Sequence, residues 1–153
     1  MADGEAPAVA AMVAALARDT GAGLVPKLTG EALTDARDLI DVLVAETAGG
    51  ELAGACLSLM TFSTWRGSRG LYIVDLFVDG RARGQGTGLV LLREAARRGW
   101  RRGARFVKLE VDIDNEGAAR FYGRQAFARK DTDRLFRSEE HTSELQSHSF
   151  ISY

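Results

Sequence analysis

Histidine, cysteine and proline are the scarce residues of this 153-residue chain, and their scarcity narrows its chemistry. There is one cysteine, Cys56, so no disulfide can form within the chain, and a reducing compartment such as the cytoplasm is expected. Both histidines, His141 and His148, fall in the last seventeen residues. The rest of the chain therefore lacks Ser-His-Asp and Cys-His nucleophile systems and any convincing zinc site. Proton chemistry in the body has to run through Asp, Glu, Tyr or water. No apolar stretch is long enough to cross a membrane, and Met1 to Glu5 lacks the basic start and apolar run of a secretory signal. Net charge is only −1, so no single-sign field draws the whole molecule to nucleic acid or an anionic membrane.

Charge is local instead. Arg93, Arg97, Arg98, Arg101, Arg102 and Arg105 surround one expected helix. No aromatic ladder or nucleic-acid motif accompanies them, which favours a solvated helix face over a nucleic-acid surface. Assistance in holding an anionic cofactor is the other reading. The closing segment, Arg137 to Tyr153, reads RSEEHTSELQSHSFISY. It resembles the conceptual translation of a sequencing adapter, so the expected organisation is one domain over 1–136 followed by a non-native tail over 137–153.

Within that domain, Val9, Met12, Val13 and Leu16 carry helical spacing, and Thr29 can cap a second helix running to Asp38. Asp41 to Glu46 and Glu51 to Met60 flank Gly49-Gly50 as a hairpin. A loop with Trp65, Gly67 and Gly70 leads to a strand over 71–78. A helix over 86–98, with Leu89, Leu92 and Ala96 inward, is followed by a strand over 106–113, a helix from Asn115 to about Gln125 and a last strand over 128–136. The order ααβββαβαβ gives an α/β (α+β) domain, an antiparallel meander preceding a βαβ unit on a mixed central sheet.

The sharpest signal is Arg83-Gly84-Gln85-Gly86-Thr87-Gly88, between a strand and a helix. Glycines there let backbone N–H groups approach a ligand, and the helix start adds unpaired donors with partial positive charge. With the Arg83 charge beside it, the segment reads as a pyrophosphate cradle. A glycine-rich turn without a ligand is the plainer alternative. A P-loop would need Lys-Ser/Thr after its last glycine, which is not present. A Rossmann fingerprint would need glycine at position 89, which is Leu89; Glu110 or Asp112 keeps a dinucleotide reading open, though the upstream hairpin fits it badly.

The spacing of Arg83, Gly86 and Gly88 resembles the acetyl-CoA signature of the GNAT superfamily of N-acetyltransferases. A second block agrees: Leu109, Val111, Asn115, Ala118, then Phe121-Tyr122. The resemblance covers about 6–136, and over Ser63 to Val78 it is nearest to the diamine and thialysine acetyltransferase branch. It implies a GNAT fold with the first and last family strands missing or altered. It also implies transfer of an acetyl group from acetyl-CoA, with no metal, to a small-molecule primary amine, polyamine-like or amino-acid-like, by direct attack in a ternary complex.

The resemblance assigns the pyrophosphate to Arg83, Gly84, Gln85, Gly86, Thr87 and Gly88. Further coenzyme contacts fall to Leu76, Phe77, Val78, Asn115, Ala118 and Phe121. The pantetheine arm is expected between strands that splay apart. Tyr122 would protonate the departing thiolate, and Asp75 would serve as base, directly or through water. Each role has a plainer counterpart: Asn115 as a helix cap, Tyr122 as a core aromatic, Asp75 as a partner for backbone donors, Trp65 as a loop anchor rather than part of an acceptor pocket. Where the branch has a glutamate before the strand aspartate, this chain has Val74; its Leu-Gly-Phe is Gln125-Ala126-Phe127. A homodimer is left open. An acyl-CoA-binding module without catalysis and, further off, a nucleotide-dependent oxidoreductase are the competing functions.

Overall fold

The computed structural model describes residues 3–20, 25–125 and 127–129. The chain falls into two compact units, residues 1–115 and 116–153. The expected strand over 128–136 and the adapter-like segment 137–153 lie outside the described residues, apart from positions 128 and 129.

The first unit opens with α1 (Ala6–Thr20) and α2 (Gly30–Asp35). Thr29 caps α2 as expected: its hydroxyl accepts the Ala32 N–H at 3.1 Å. Three strands follow, β1 (Asp41–Glu46), β2 (Leu52–Ser63) and β3 (Ser68–Val78), then α3 (Thr87–Arg101) and a short β4 (Val107–Leu109). The sheet order is β1-β2-β3-β4; the first two pairings are antiparallel and β3 pairs with β4 in parallel. This is the mixed sheet read from the sequence, with a meander feeding a right-sized βαβ crossover.

Alternation along β2 sends side chains to two helical layers. Ala55 and Leu57 join Ala6, Val9, Val13 and Leu33 in one apolar cluster, with Val42 and Val44 of β1 packed against it. On the other face α3 buries Leu91, Leu92, Ala95 and Gly99. The expected inward stripe of Leu89, Leu92 and Ala96 is therefore displaced: Leu89 and Ala96 are only half-buried. Gly99 explains the shift, because its missing side chain lets Leu71 of β3 approach to 3.2 Å of where a Cβ would sit.

Gly54 marks the tightest point of that layer. A Cβ there would lie 2.7 Å from the Phe77 carbonyl oxygen and 3.2 Å from Leu91 Cδ1. The first obstacle is backbone and cannot move aside cheaply. Gly54→Ala is accordingly expected to lower stability by about 1–3 kcal/mol, the usual cost of overpacking. Urea unfolding measures it, and a variant as stable as the parent would contradict this packing.

Two further differences from the sequence reading matter for the site. The β2–β3 hairpin runs on to Ser63 and starts again at Ser68, so Gly70 is a strand residue rather than loop. The ring of Phe106 occupies the space its side chain would need, 2.3 Å from the ideal Cβ. At the hairpin tip Trp65 is fully exposed and anchors nothing. The strand expected over 106–113 is reduced to three residues, since pairing requires a neighbour and β3 supplies one only along Leu71–Ile73.

Candidate active site

β3 is where the site is built. Its parallel partnership with β4 covers Leu71↔Val107, Tyr72↔Lys108 and Ile73↔Leu109 and then stops. Among the described residues, the strand from Val74 to Val78 pairs with β2 alone. A strand edge is left on that side, over Leu76, Phe77 and Val78, with backbone groups that a further extended segment can satisfy. The same point carries an irregularity. Ser58 pairs with Ile73 but Leu57 with Asp75, so Val74 is an extra residue, a β-bulge. Nothing in the residue pattern announces it.

The bulge has a consequence for side chains. Residues three apart on a regular strand face opposite ways, but here Tyr72 pairs with Leu59 and Asp75 with Leu57, two residues apart on one face of β2. Asp75 thus lies on the face where Leu57 packs against α1 and α2. Burial pushes its carboxyl above the ordinary carboxylate range. Its charge in turn adds to the burial that lifts the Cys56 thiol to about 12. Cys56 is wholly buried and bears no reactive thiolate at neutral pH.

Beyond Val78 the chain makes the turn singled out in the sequence. Asp79 caps a short 3-10 turn over Gly80–Ala82, its carboxylate taking the Arg81 N–H at 2.9 Å and Arg81 Nε at 3.1 Å. The hydrogen bond from the Arg81 backbone N–H foremost holds that carboxyl below its usual range. Gly84 and Gly86 adopt left-handed backbone, at φ 76° and 84°. Gly86 is the N-cap of α3 and has no side chain to fill the cap; the first ladder bond runs from Val90 N–H to the Gly86 carbonyl at 3.0 Å. The amides of Thr87, Gly88 and Leu89 precede that ladder, so the helix start presents donors as the sequence pattern requires. A Cβ at Gly84 or Gly86 would meet nothing within 4 Å, so their glycines answer to backbone conformation and to an open approach.

Arg83 is more occupied than its motif position suggests. Its Nε donates to the Val78 carbonyl at 2.9 Å, and its Nη2 pairs with the Asp19 carboxylate at the end of α1. Asp19 is a residue sequence reasoning did not find, because an ion pair 64 positions apart leaves no local signal. Gln85 Nε2 donates to the Arg81 carbonyl at 2.9 Å, and the Thr87 hydroxyl to that of Ala82 at 3.4 Å. These contacts hold the turn in shape.

Several of the α3 arginines are engaged internally. Arg97 and Arg98 both bind Glu94, whose carboxyl falls to about 2 chiefly through the bond from Arg97. Arg102 pairs with Asp41, and Arg105 stands over the Trp100 ring at 4.9 Å. They read as a solvated helix face.

Asn115 closes the first unit, its backbone N–H on the Asp112 carbonyl at 2.9 Å. In the second unit, α4 (Glu116–Gly123) carries Ala118, Phe121 and Tyr122. Tyr122 meets Phe121 edge-on, ring centres 5.0 Å apart, and Phe127 in the same way at 5.6 Å. Among the described residues no group of three or more His, Cys, Asp or Glu is disposed to hold a metal ion, and no helix is long and apolar enough to cross a membrane.

Comparison with known proteins bears on this geometry. The profile of the acetyltransferase (GNAT) family matches residues 12–127. An uncharacterized N-acetyltransferase of Methanocaldococcus jannaschii is 41% identical over 59 residues, 39% of this chain and 26% of that protein. The chain thus matches about a quarter of that relative's length. Among solved structures, an integron cassette protein from the mobile metagenome of V. cholerae superposes with a TM-score of 0.77 at 18% identity, covering 97% of this chain and 95% of that one. An aminoglycoside acetyltransferase from an uncultured soil metagenomic sample, in complex with sisomicin, superposes with a TM-score of 0.74 at 17% identity, covering 92% and 93%. At such identities the likeness is one of fold.

Proposed function

Because the chain belongs to the GNAT family of acetyltransferases, we propose that it moves an acetyl group from acetyl-CoA to a primary amine of a small molecule, polyamine-like or amino-acid-like. The observation that carries this reading is the conjunction at the end of β3. A strand edge with no β4 partner beyond Ile73 leads directly into a helix start whose amides are uncapped. An extended, amide-bearing arm with a diphosphate at one end fits that pair of features, the arm along Leu76, Phe77 and Val78 and the diphosphate on the amides of 84–88.

Transfer then needs no residue of the enzyme to be acylated. The amine nitrogen attacks the thioester carbonyl carbon, a C–N bond forms, and the C–S bond breaks. Asp75 takes the proton the amine must lose, directly or through water; its raised pKa makes it a better base than an exposed carboxylate. Tyr122 gives its proton to the departing thiolate, a transfer suited to a phenol of pKa ~10 and a thiol of pKa ~8.5. Asn115, Ala118 and Phe121 complete the coenzyme contacts the resemblance assigns. The reading extends to a cytoplasmic enzyme that acts without metal, nucleic acid or membrane, with a homodimer as the assembly to test.

One observation favours a second reading, an acyl-CoA-binding module without turnover: the bulge residue is Val74, exposed, where the branch this chain resembles has a glutamate. The two share a first test. Titration calorimetry with coenzyme A should show binding, and Gly86→Ala should weaken it about tenfold, since an alanine held at φ 84° costs about 1–2 kcal/mol. No heat at millimolar coenzyme A would sink both.

A further inference from the structure

The face of β3 that bears Asp75 also bears a row of aromatic rings with cations over them. Tyr72 shares that face through the bulge, and Lys108, its parallel partner on β4, sets Nζ 4.9 Å from the Tyr72 ring centre. Gly70, two residues back and so on the same face, is covered by the Phe106 ring. Arg66 from the hairpin tip places its guanidinium carbon 4.9 Å from the centre of that ring. The order along the strand is Arg66 on Phe106, Lys108 on Tyr72, then Asp75.

These cations differ from several others of the unit. Arg81, Arg83, Arg97, Arg98 and Arg102 each have a carboxylate partner. Among the described residues neither Lys108 nor Arg66 has one, and each is steadied by a ring face instead. Two cations on the face that bears Asp75 are a poor setting for a polycation, since like charges raise its energy there. They are a good setting for an acid. Tyr72 and Asp75 are separated by at most about 10 Å of strand, an interval a molecule of amino-acid size can bridge.

Given transfer to an amine, as proposed above, we infer that the acceptor carries a carboxylate as well as its amine, and that Lys108 and Arg66 receive the carboxylate while Asp75 takes the amine. The acceptor class is then an amino acid rather than a diamine or polyamine. Lys108 supplies a point charge, and Arg66 a planar fork able to take both oxygens.

The test is acetyl transfer by the full chain to matched pairs of acceptors: lysine and cadaverine, ornithine and putrescine, 4-aminobutyrate and butylamine. In at least one pair the acid should exceed its decarboxylated partner by roughly tenfold or more in kcat/KM, the worth of a charge-assisted hydrogen bond. Lys108→Met should collapse that ratio toward one, and Lys108→Arg should restore most of it, which a merely structural role for the side chain would not do. Equal or better transfer to the partners without carboxylate overturns the inference and leaves the transferase standing. Coenzyme binding with no amino acid acetylated overturns it as well. Failure to bind coenzyme A marks the fall of the transferase reading itself.

Discussion

Asp75→Asn is expected to lower acetyl transfer at neutral pH about a hundredfold or more while making the folded chain more stable there. General-base assistance typically contributes 10²- to 10⁴-fold, and an amide cannot accept the amine's proton. The stability half follows from burial. Desolvation raises the Asp75 pKa in the folded state above its unfolded value, so the folded chain holds that proton more tightly. The stability linked to this group is fully present below the unfolded pKa and is lost as pH rises through the folded one. Above the folded pKa the parent carries a partly buried negative charge, which the amide does not. Thermal unfolding followed across the acid range should show the parent losing stability relative to Asp75→Asn as pH increases. In kinetics, the acid limb of kcat/KM that reports ionisation of Asp75 should vanish in the variant. Unaltered turnover with the limb intact would reassign the base to water or another group.

The same substitution probes how the site is wired. Cys56 owes most of its raised pKa to burial and the remainder to the Asp75 charge. Removing that charge should bring the thiol down, yet leave it unreactive toward thiol reagents in the folded state, since no solvent reaches it. Rapid labelling of Asp75→Asn would mean that the sheet had opened and that its lost activity was structural.

How far the sequence showed this site can be judged element by element. β1 was legible to the residue, because Val42-Leu43-Val44 between Ile40 and Gly49-Gly50 allows little else. The glycine turn was legible too: Gly84 and Gly86 stand at positive φ, a demand few other residues meet, so glycine there is a backbone signal. β4 was overread. The alternation from Phe106 to Ile113 records which residues face which way, but hydrogen bonding needs a partner, and β3 offers one only as far as Ile73. The bulge at Val74 was invisible, since an extra residue in a ladder is defined by what lies opposite. Without it Asp75 would face away from Tyr72 and would not share a face with Lys108 and its ring partner. The Asp19–Arg83 pair and the seat of Phe106 on Gly70 were hidden for the same reason, being contacts between distant parts of the chain. Local chemistry was readable, and long-range register was not.

Tyr122→Phe should cost about 10²- to 10⁴-fold in turnover, the range for loss of a positioned general acid, with coenzyme A affinity preserved. The change removes one oxygen and keeps the ring, so the edge-on contacts with Phe121 and Phe127 survive and the variant should remain folded. That separation of effects makes the substitution informative. A tyrosine serving only as the middle ring of an aromatic trio would tolerate phenylalanine with full activity. A coenzyme-binding module without catalysis would show equal calorimetric affinity for parent and variant and transfer by neither. Only a proton donor to the departing thiolate predicts intact folding, intact binding and lost transfer together. Its pH dependence adds a further sign. Because the donor must be protonated to act, the parent's kcat should fall as alkali ionises the phenol, and the variant, already without that proton, should lack this limb.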